Sequence, residues 1–438
     1  MTPEQHSYPS RLTPDGHFLS ATNPQVNVDQ REIETRALKL LATPIVQHGK
    51  QAVAQRWRII VGRDMTPEAE TRFAELIDEY TFNYILKAVN GDANYPKICY
   101  GIYGPPHRWM GLDVPGARAS GGDGPDHTYS FIPIDYGARY ELTGRRLSPA
   151  PADTPYTLTG SLAFTMTLGS LLGRDLLTTP DGSFTITLDP KPANGRPNHI
   201  QTTPNARYLF IRECRSDWRQ IPAAHRITRL DPPTRPPLSD ELVAERAVQF
   251  MVEDVASIYW FMRSFYVLEV NSITQAFGTG AISGLVQQQI SFARINLADD
   301  EALVITIGHG DAAFRDIVLH DFWFRTLDYW NRTSSMNNAQ GVPDEGGAST
   351  TYVVSLKDPG VHNWLDPADF HETLLVHRWQ GLPRDAAPGT GPAARSQLVK
   401  LHELATVLPP GTAHTTPAER AVQLTKRHAE FMLRFAED

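Results

Sequence analysis

Apolar residues recur at intervals of three and four over the first ninety positions, and at every second position over much of the remaining chain. The first period belongs to helices and the second to half-buried strands. "REIETRALKLLA" opens at Arg31 and stops before Pro44; "PIVQHGKQAVAQRWRII" begins on that proline, a residue favoured at a first helical position because its missing N–H would be unbonded there anyway. "MTPEAETRFAELIDEYTFNYILKAV" reads as one further helix, with Thr66 as its cap and Phe73, Leu76, Ile77, Tyr80, Tyr84 and Leu86 along one apolar face. Residues 1–30 are polar and proline-bearing, and predict an irregular arm.

The period changes near residue 100, where Gly and Pro thicken. "TYSFIPI", "ARYELTG", "SFTITLD" and "RYLFIREC" come next, each alternating and each bounded by turn residues, as strands are. "LDPPTRPPLSD" (230–240) is a proline-rich connector. Ser239 caps a long helix, "DELVAERAVQFMVEDVASIYWFMRSFYVLEV", whose Tyr259, Trp260, Met262, Phe265, Tyr266 and Leu268 predict burial on several sides. "GTGAISG" (278–284) reads as a flexible loop. Strands resume with "ALVITIG" and "TTYVVSL". "DAAPGTGPAARS" reads as a linker, and a last helix starts at Thr416 with the capping box "TPAE".

The strand regions look like two copies of one motif, at 180–218 and 346–382. Each has an alternating strand, a Pro-bearing turn, an Asn, and a second alternating strand carrying an Arg. Asn198 precedes Arg212 by 14 residues and Asn363 precedes Arg378 by 15. "HNWLD" (362–366) sits in the second copy. The recurrence of its Asn predicts a structural corner, with Asn363 bound to backbone and Trp364 buried. The expected class is therefore α+β: an N-terminal helical region and two antiparallel β-sandwich-like repeats joined by a long apolar helix. The expected units are 1–95, 96–230, 231–290, 291–385 and 386–438.

Composition narrows the function classes. Hydrophobic residues make up 41% of 438, enough for a sizeable core. A net charge of −8 without a basic stripe argues against nucleic acid or anionic membrane as a partner. There is no apolar run long enough to span a bilayer and no secretory leader in "MTPEQHSYPSRLTPDGHFLS", and only two cysteines, Cys99 and Cys214. These predict a cytoplasmic protein with free thiols. The residues leave the oligomeric state open, a homodimer included.

"GGDGPDHTYSFIPIDYGARYELTGR", "DGSFTITL…RYLFIRECRSDW" and "NRTSSMNNAQ…GGASTTYVVSLKDPGVHNWLD…LLVHRW" together resemble a widespread bacterial family, the domain of unknown function numbered twelve-fourteen. The resemblance covers roughly residues 95–385. Gly124 stands where the family usually has Asn, and "NHI" (198–200) where Asn-Trp-Leu is usual. The resemblance implies a helical segment with antiparallel sandwich architecture, and no settled reaction.

Candidate chemistry lies in two segments. In "GPDHTY", Asp126, His127 and Tyr129 could serve acid–base catalysis, against a plain turn. In "LHDFWFRTLDYWNRTSSMNNAQ", Trp323, Tyr329, Asn331, Arg332 and Asn337 could wall and orient a small molecule, against a core with a solvated loop. His309, Asp311, His320, Asp321, His362, His371 and His377 all fall in the second sandwich unit, 291–385, without metal-ligand spacing, so no metal is expected. No nucleophile elbow or P-loop occurs, and no cofactor is expected. Two functions remain. One is a cofactor-independent lyase, isomerase or cyclase acting on a mostly apolar small molecule, its pocket between the helical region and the sandwiches. The other is a non-catalytic protein recognising a glycan, lipid or protein.

Overall fold

The computed structural model describes residues 16–438 apart from 119–120, 163–166, 279–284, 286 and 385–390. The glycine loop 278–284 therefore falls almost wholly outside the described residues, as does half of the expected arm. The helical third forms α1 (Val28–Leu41), α2 (Pro44–Val61), α3 (Pro67–Thr71) and α4 (Phe73–Val89). Asn27 caps α1 by accepting the Gln30 N–H, and Pro44 opens α2. The sequence predicts α3 and α4 as one helix; Arg72 interrupts it (φ −104°, ψ −1°), its guanidinium drawn over the Phe370 ring at 5.1 Å. This tertiary contact overrides the helical pattern.

The strands of the paired sheets come next in chain order, setting aside the short pieces His107–Trp109, Leu112–Val114 and Phe277–Gly278. They are β1 (Cys99–Ile102), β2 (His127–Pro133), β3 (Tyr140–Arg145), β4 (Tyr156–Thr159), β5 (Thr167–Leu171), β6 (Ser183–Asp189), β7 (His199–Gln201), β8 (Tyr208–Cys214) and β9 (Ala224–Arg229). Then come α5 (Asp240–Tyr266), β10 (Ser272–Ile273), β11 (Gln289–Asn296), β12 (Glu301–Gly308), β13 (Phe314–His320), β14 (Ser335–Asn337), β15 (Ser349–Val354), β16 (Trp364–Leu365), β17 (Glu372–Gln380) and β18 (Ala393–Lys400). Two helices close the chain, α6 (Leu404–Val407) and α7 (Pro417–Met432), the latter with the Thr416–Glu419 capping box in place. The class is α+β. No described helix is long and apolar enough to cross a membrane.

The first pair of sheets has the orders β1-β2-β8-β4-β5 and β9-β3-β6-β7. The second pair has β10-β11-β17-β13-β14 and β18-β12-β15-β16. Each strand of the first pair thus has a counterpart nine strands later in the same sheet position. Within each pair the two sheets share one apolar core: Ile132, Leu142, Leu158, Ile186, Leu209 and Ile211 in the first, Ile295, Ile305, Ile317, Val354, Leu375 and Trp379 in the second. β6–β7 and β15–β16 are parallel, unlike the antiparallel pairs around them.

That parallel pairing is what HNWLD builds. Asn363 accepts the Val342 N–H at 2.8 Å and donates to Val342 O and Thr351 O at 2.8 and 2.9 Å. Asn198 bonds Leu177 in the same way, accepting its N–H at 2.9 Å and donating to its carbonyl at 2.7 Å. Trp364 is buried and donates to Ser355 O at 2.9 Å. The corner is structural.

Two expectations need correction. Ala393–Lys400, read as part of a linker, is strand β18, paired with β12 from Glu301↔Lys400 to Gly308↔Ala393. It is an edge strand with few apolar residues, and so carries a faint alternation. Helix α5 is not wrapped by protein. Val243, Ala247, Met251, Val255, Ile258, Met262 and Phe265 make one buried stripe, while Trp260 is 74% exposed. The stripe packs with Val53, Trp57, Leu76 and Tyr80 of α2 and α4.

Candidate functional site

β2 is buried along its length. Ile132 faces the first core, whereas Tyr129 and Phe131 face the opposite way, into a cluster that also holds residues of α1, α4 and α5. His127 shares their face, and there the first main sheet meets the second. Its Nδ1 lies 3.8 Å from Asp316 Oδ2 on β13, and its ring stacks on Tyr129 with centroids 5.3 Å apart. Arg378 of β17 donates to the same Asp316 oxygen at 3.1 Å and also to Gly122 O. Burial pushes the Asp316 carboxyl up to about 7 and holds His127 well below the usual imidazole range, hence neutral.

Asp126 precedes β2 and is wholly buried. Its Oδ1 accepts from Trp218 Nε1 at 2.7 Å and from Asn337 Nδ2 at 2.8 Å. Burial raises its pKa, opposed by the Asn337 hydrogen bond and by Arg427. Tyr129 accepts the Gly124 N–H through its hydroxyl at 3.2 Å, and burial raises its pKa too. The cluster is tight: a Cβ on Gly124 would lie 2.8 Å from His127 Nδ1 and 3.1 Å from Asp316 Oδ2. Helix α7 and the residues after it close the cluster. Arg434 donates to His127 O at 3.0 Å and to Pro125 O, and Arg427 donates to Ser335 Oγ at 2.6 Å and to Tyr329 O.

The sequence-predicted residues thus meet only in part. Asp126 and Asn337 bond directly, and His127 and Tyr129 stack beside them. The rest disperse. Trp323 is core, donating to Ala69 O at 2.9 Å beside Trp57 and Phe73. Tyr329 is core against Trp218 and Phe431. Asn331 bonds Asp328 and His428 near the surface, while Arg332 pairs with Asp366 and Asp369. None of these eight residues lines either cavity with room for a small molecule, and Trp323 edges only a narrow crevice beside Phe322 and Phe370. Steric closure is the reason: long buried side chains from both main sheets fill the space around the GPDHTY segment. Arg378 pairs with Asp316 on the neighbouring strand β13 and reaches Gly122 O across the junction. Among the described residues no three acidic, His or Cys side chains are placed to hold a metal.

A cavity of about 200 Å³ does open nearby, where the first pair of sheets abuts the Ala313 and Gly381 turns of the second. Glu213 of β8 lines it. The alternation of β8 puts Leu209 and Ile211 into the first core, so Glu213 is a carboxyl on a core-facing position. It is fully buried; Oε1 accepts the Ala223 N–H at 2.6 Å, and Oε2 has no partner among the described residues. Burial pushes its pKa up to about 8, so at neutral pH it is mostly protonated. Tyr156, bonded at 3.0 Å to His225 Nε2, shares the cavity wall. Two guanidiniums line it too. Arg146 donates to Gly173 O, and Arg174 to Leu382 O of the second half at 3.1 Å; neither pairs with a carboxylate among the described residues. Gly173 has to be glycine, since a Cβ would come within 2.8 Å of Thr154 N. Sequence reading missed this site, although "YLFIREC" held the signal: an acid in register with apolar core positions.

No family model matches the chain, and no curated protein does. The crystal structure of an uncharacterized protein from Burkholderia cenocepacia does, with 24% identity over 84% of this chain and 99% of that one and a TM-score of 0.67. The likeness is one of fold. A protein from Vibrio parahaemolyticus aligns over 84% of this chain and 100% of its own, at 10% identity and a TM-score of 0.38.

Proposed function

We propose that the chain is a cofactor-independent enzyme that moves protons on a small anionic molecule held in the cleft between its two halves. The observation that carries this reading is Glu213: a buried carboxyl, protonated near neutrality, with one oxygen unpartnered among the described residues beside a cavity. Such a group costs stability and is kept where its proton is used. Glu213 is the general acid, and Arg146 and Arg174 hold the substrate's anionic group. Lyase or isomerase chemistry suits a site with one acid, one Tyr156 hydroxyl and no classical nucleophile. The Asp126–His127–Asp316–Arg378 cluster serves as a brace that sets the width of the cleft. The two pairs of sheets are, on this reading, sandwich copies of one unit joined through α5, one of which has given up core packing for chemistry. A cytoplasmic setting and membership of the family of unknown function that the motifs resemble belong to the same proposal.

The test uses solvent deuterium. Small carboxylates and phosphate esters with an acidic C–H are incubated with the protein in heavy water and read by NMR. Exchange or turnover that Glu213→Gln abolishes, with an unchanged melting temperature, is the expected result. Compounds that raise the melting temperature without exchange would make the protein a binder and overturn the catalytic reading.

A further inference from the structure

A cavity of about 310 Å³ lies elsewhere. Its walls come from the connection between α2 and α3, the end of α5, and the β11–β17 edge of the second main sheet. Its volume falls in the lower range of ordinary ligand sites, about 300–1,000 Å³. One wall is apolar, with Tyr266 and Phe322 stacked at 4.9 Å and Leu374 beside them. The other carries two cations. Arg294 is oriented by donating to Tyr266 O at 2.7 Å, and its acidic neighbour Glu372 stands 3.8 Å away. Arg263 stands 3.9 Å from Asp64. Both ion pairs are longer than hydrogen bonds, so each guanidinium keeps donors for a ligand.

We propose that this cavity is a binding site for an amphipathic monocarboxylate, with the carboxylate on Arg294 and Arg263 and the alkyl or aryl tail on Tyr266 and Phe322. A carboxylate fits the forked guanidinium geometry. Asp64 and Glu372 offset the two arginines, so the site disfavours a ligand carrying more than one negative charge. The ligand class is thus a short-to-medium fatty or aryl-alkanoic acid, and the site is separate from the Glu213 cleft.

Titration calorimetry with octanoate, octanol and octyl phosphate, on the full chain below the micelle range, tests this. Octanoate should bind one per chain, and octanol and octyl phosphate more weakly. Arg294→Met should weaken octanoate by about tenfold or more, the loss expected for a charge-assisted pair. Arg263→Met, on an exposed side chain and therefore safe for folding, should weaken it in the same direction. The proposal is overturned if octanoate does not bind, if both arginine variants bind it as well as the parent does, or if octyl phosphate binds more tightly than octanoate.

Discussion

β8 and β17 hold the same place in their sheets, and a walk along their core-facing positions separates the two halves of the molecule. In the second half the positions are Leu375, His377 and Trp379; Trp379 is fully buried and donates to Gly308 O at 2.8 Å. In the first they are Leu209, Ile211 and Glu213. Where one sheet ends on an indole that fills its core, the other ends on a carboxyl beside a cavity. The neighbouring positions differ too. Arg378 meets Asp316 across the strand pair, whereas the backbone of Arg212 bonds Pro155 O there and its guanidinium lies over the Phe210 ring at 4.1 Å. One topology thus supports a sealed core and an open one. A departure from good packing at one of two matched positions is where function is to be sought.

Mutation can break this contrast. Trp379→Ala should open a cavity in the sealed half and destabilise by about 3–5 kcal/mol in denaturant titrations. Glu213→Leu should do the reverse, stabilising by about 1–2 kcal/mol while ending turnover, because it replaces an imperfectly paired buried acid with core. If both changes destabilise equally, the two halves are packed alike and the contrast fails.

Acidity gives the next largest effect. The folded pKa of Glu213, about 8, lies above that of an unfolded glutamate at about 4.3, and Asp123 and Asp316 are pushed to about 7 in the same direction. The folded state therefore holds more protons between these limits. Stability from these groups is complete below about pH 4 and is lost as pH rises through 7 and 8. Melting temperatures measured from about pH 7 to about pH 9, above the range in which the buried neutral histidines bind protons on unfolding, should show the fall, and Glu213→Gln should flatten its upper part. A curve that rises over that range would contradict the assignment.

The two corner amides sharpen the comparison further. Asn363 is buried with three hydrogen bonds, and Asn198 is half-buried with two. Asn363→Ala should cost about 2–3 kcal/mol and Asn198→Ala about 1 kcal/mol, compared by urea midpoints. The smallest effect belongs to Glu213→Gln at about pH 6: an amide replaces a protonated carboxyl of the same shape, and stability should move by less than about 1 kcal/mol.

The periodicities carried the helices and most strands because apolar stripes and alternation are local signals. "SFTITLD" and β6 coincide at Ser183–Asp189, and the capping box at Thr416 holds. The recurrence of Asn198 in Asn363 was enough to read HNWLD as a corner. What stayed hidden was long-range. Nothing local announces that Asp316, 190 residues after Asp126, comes to lie beside the GPDHTY segment, or that Arg72 will be drawn towards Phe370. Most of the aromatic density in 319–340 measured core, since Trp323 and Tyr329 are buried on every side, while Phe322 stands in a cavity wall beside the end of α5. Glu213 was legible in principle, as an acid on an apolar stripe, but its strand also fits an exposed edge.

The contacts of α7 and the residues after it impose an order on synthesis. Arg427 and Arg434 bond the carbonyls of Pro125, His127 and Tyr329, all made long before them. Elongation at about 5–20 residues per second leaves the first pair of sheets waiting about ten seconds or more for these cations. Until α7 has left the ribosome, Asp126 stands in an unfinished seam, with Asn337 already made and its arginines still to come. The nascent chain at that stage lacks the cations that tie the GPDHTY segment to the end of the chain.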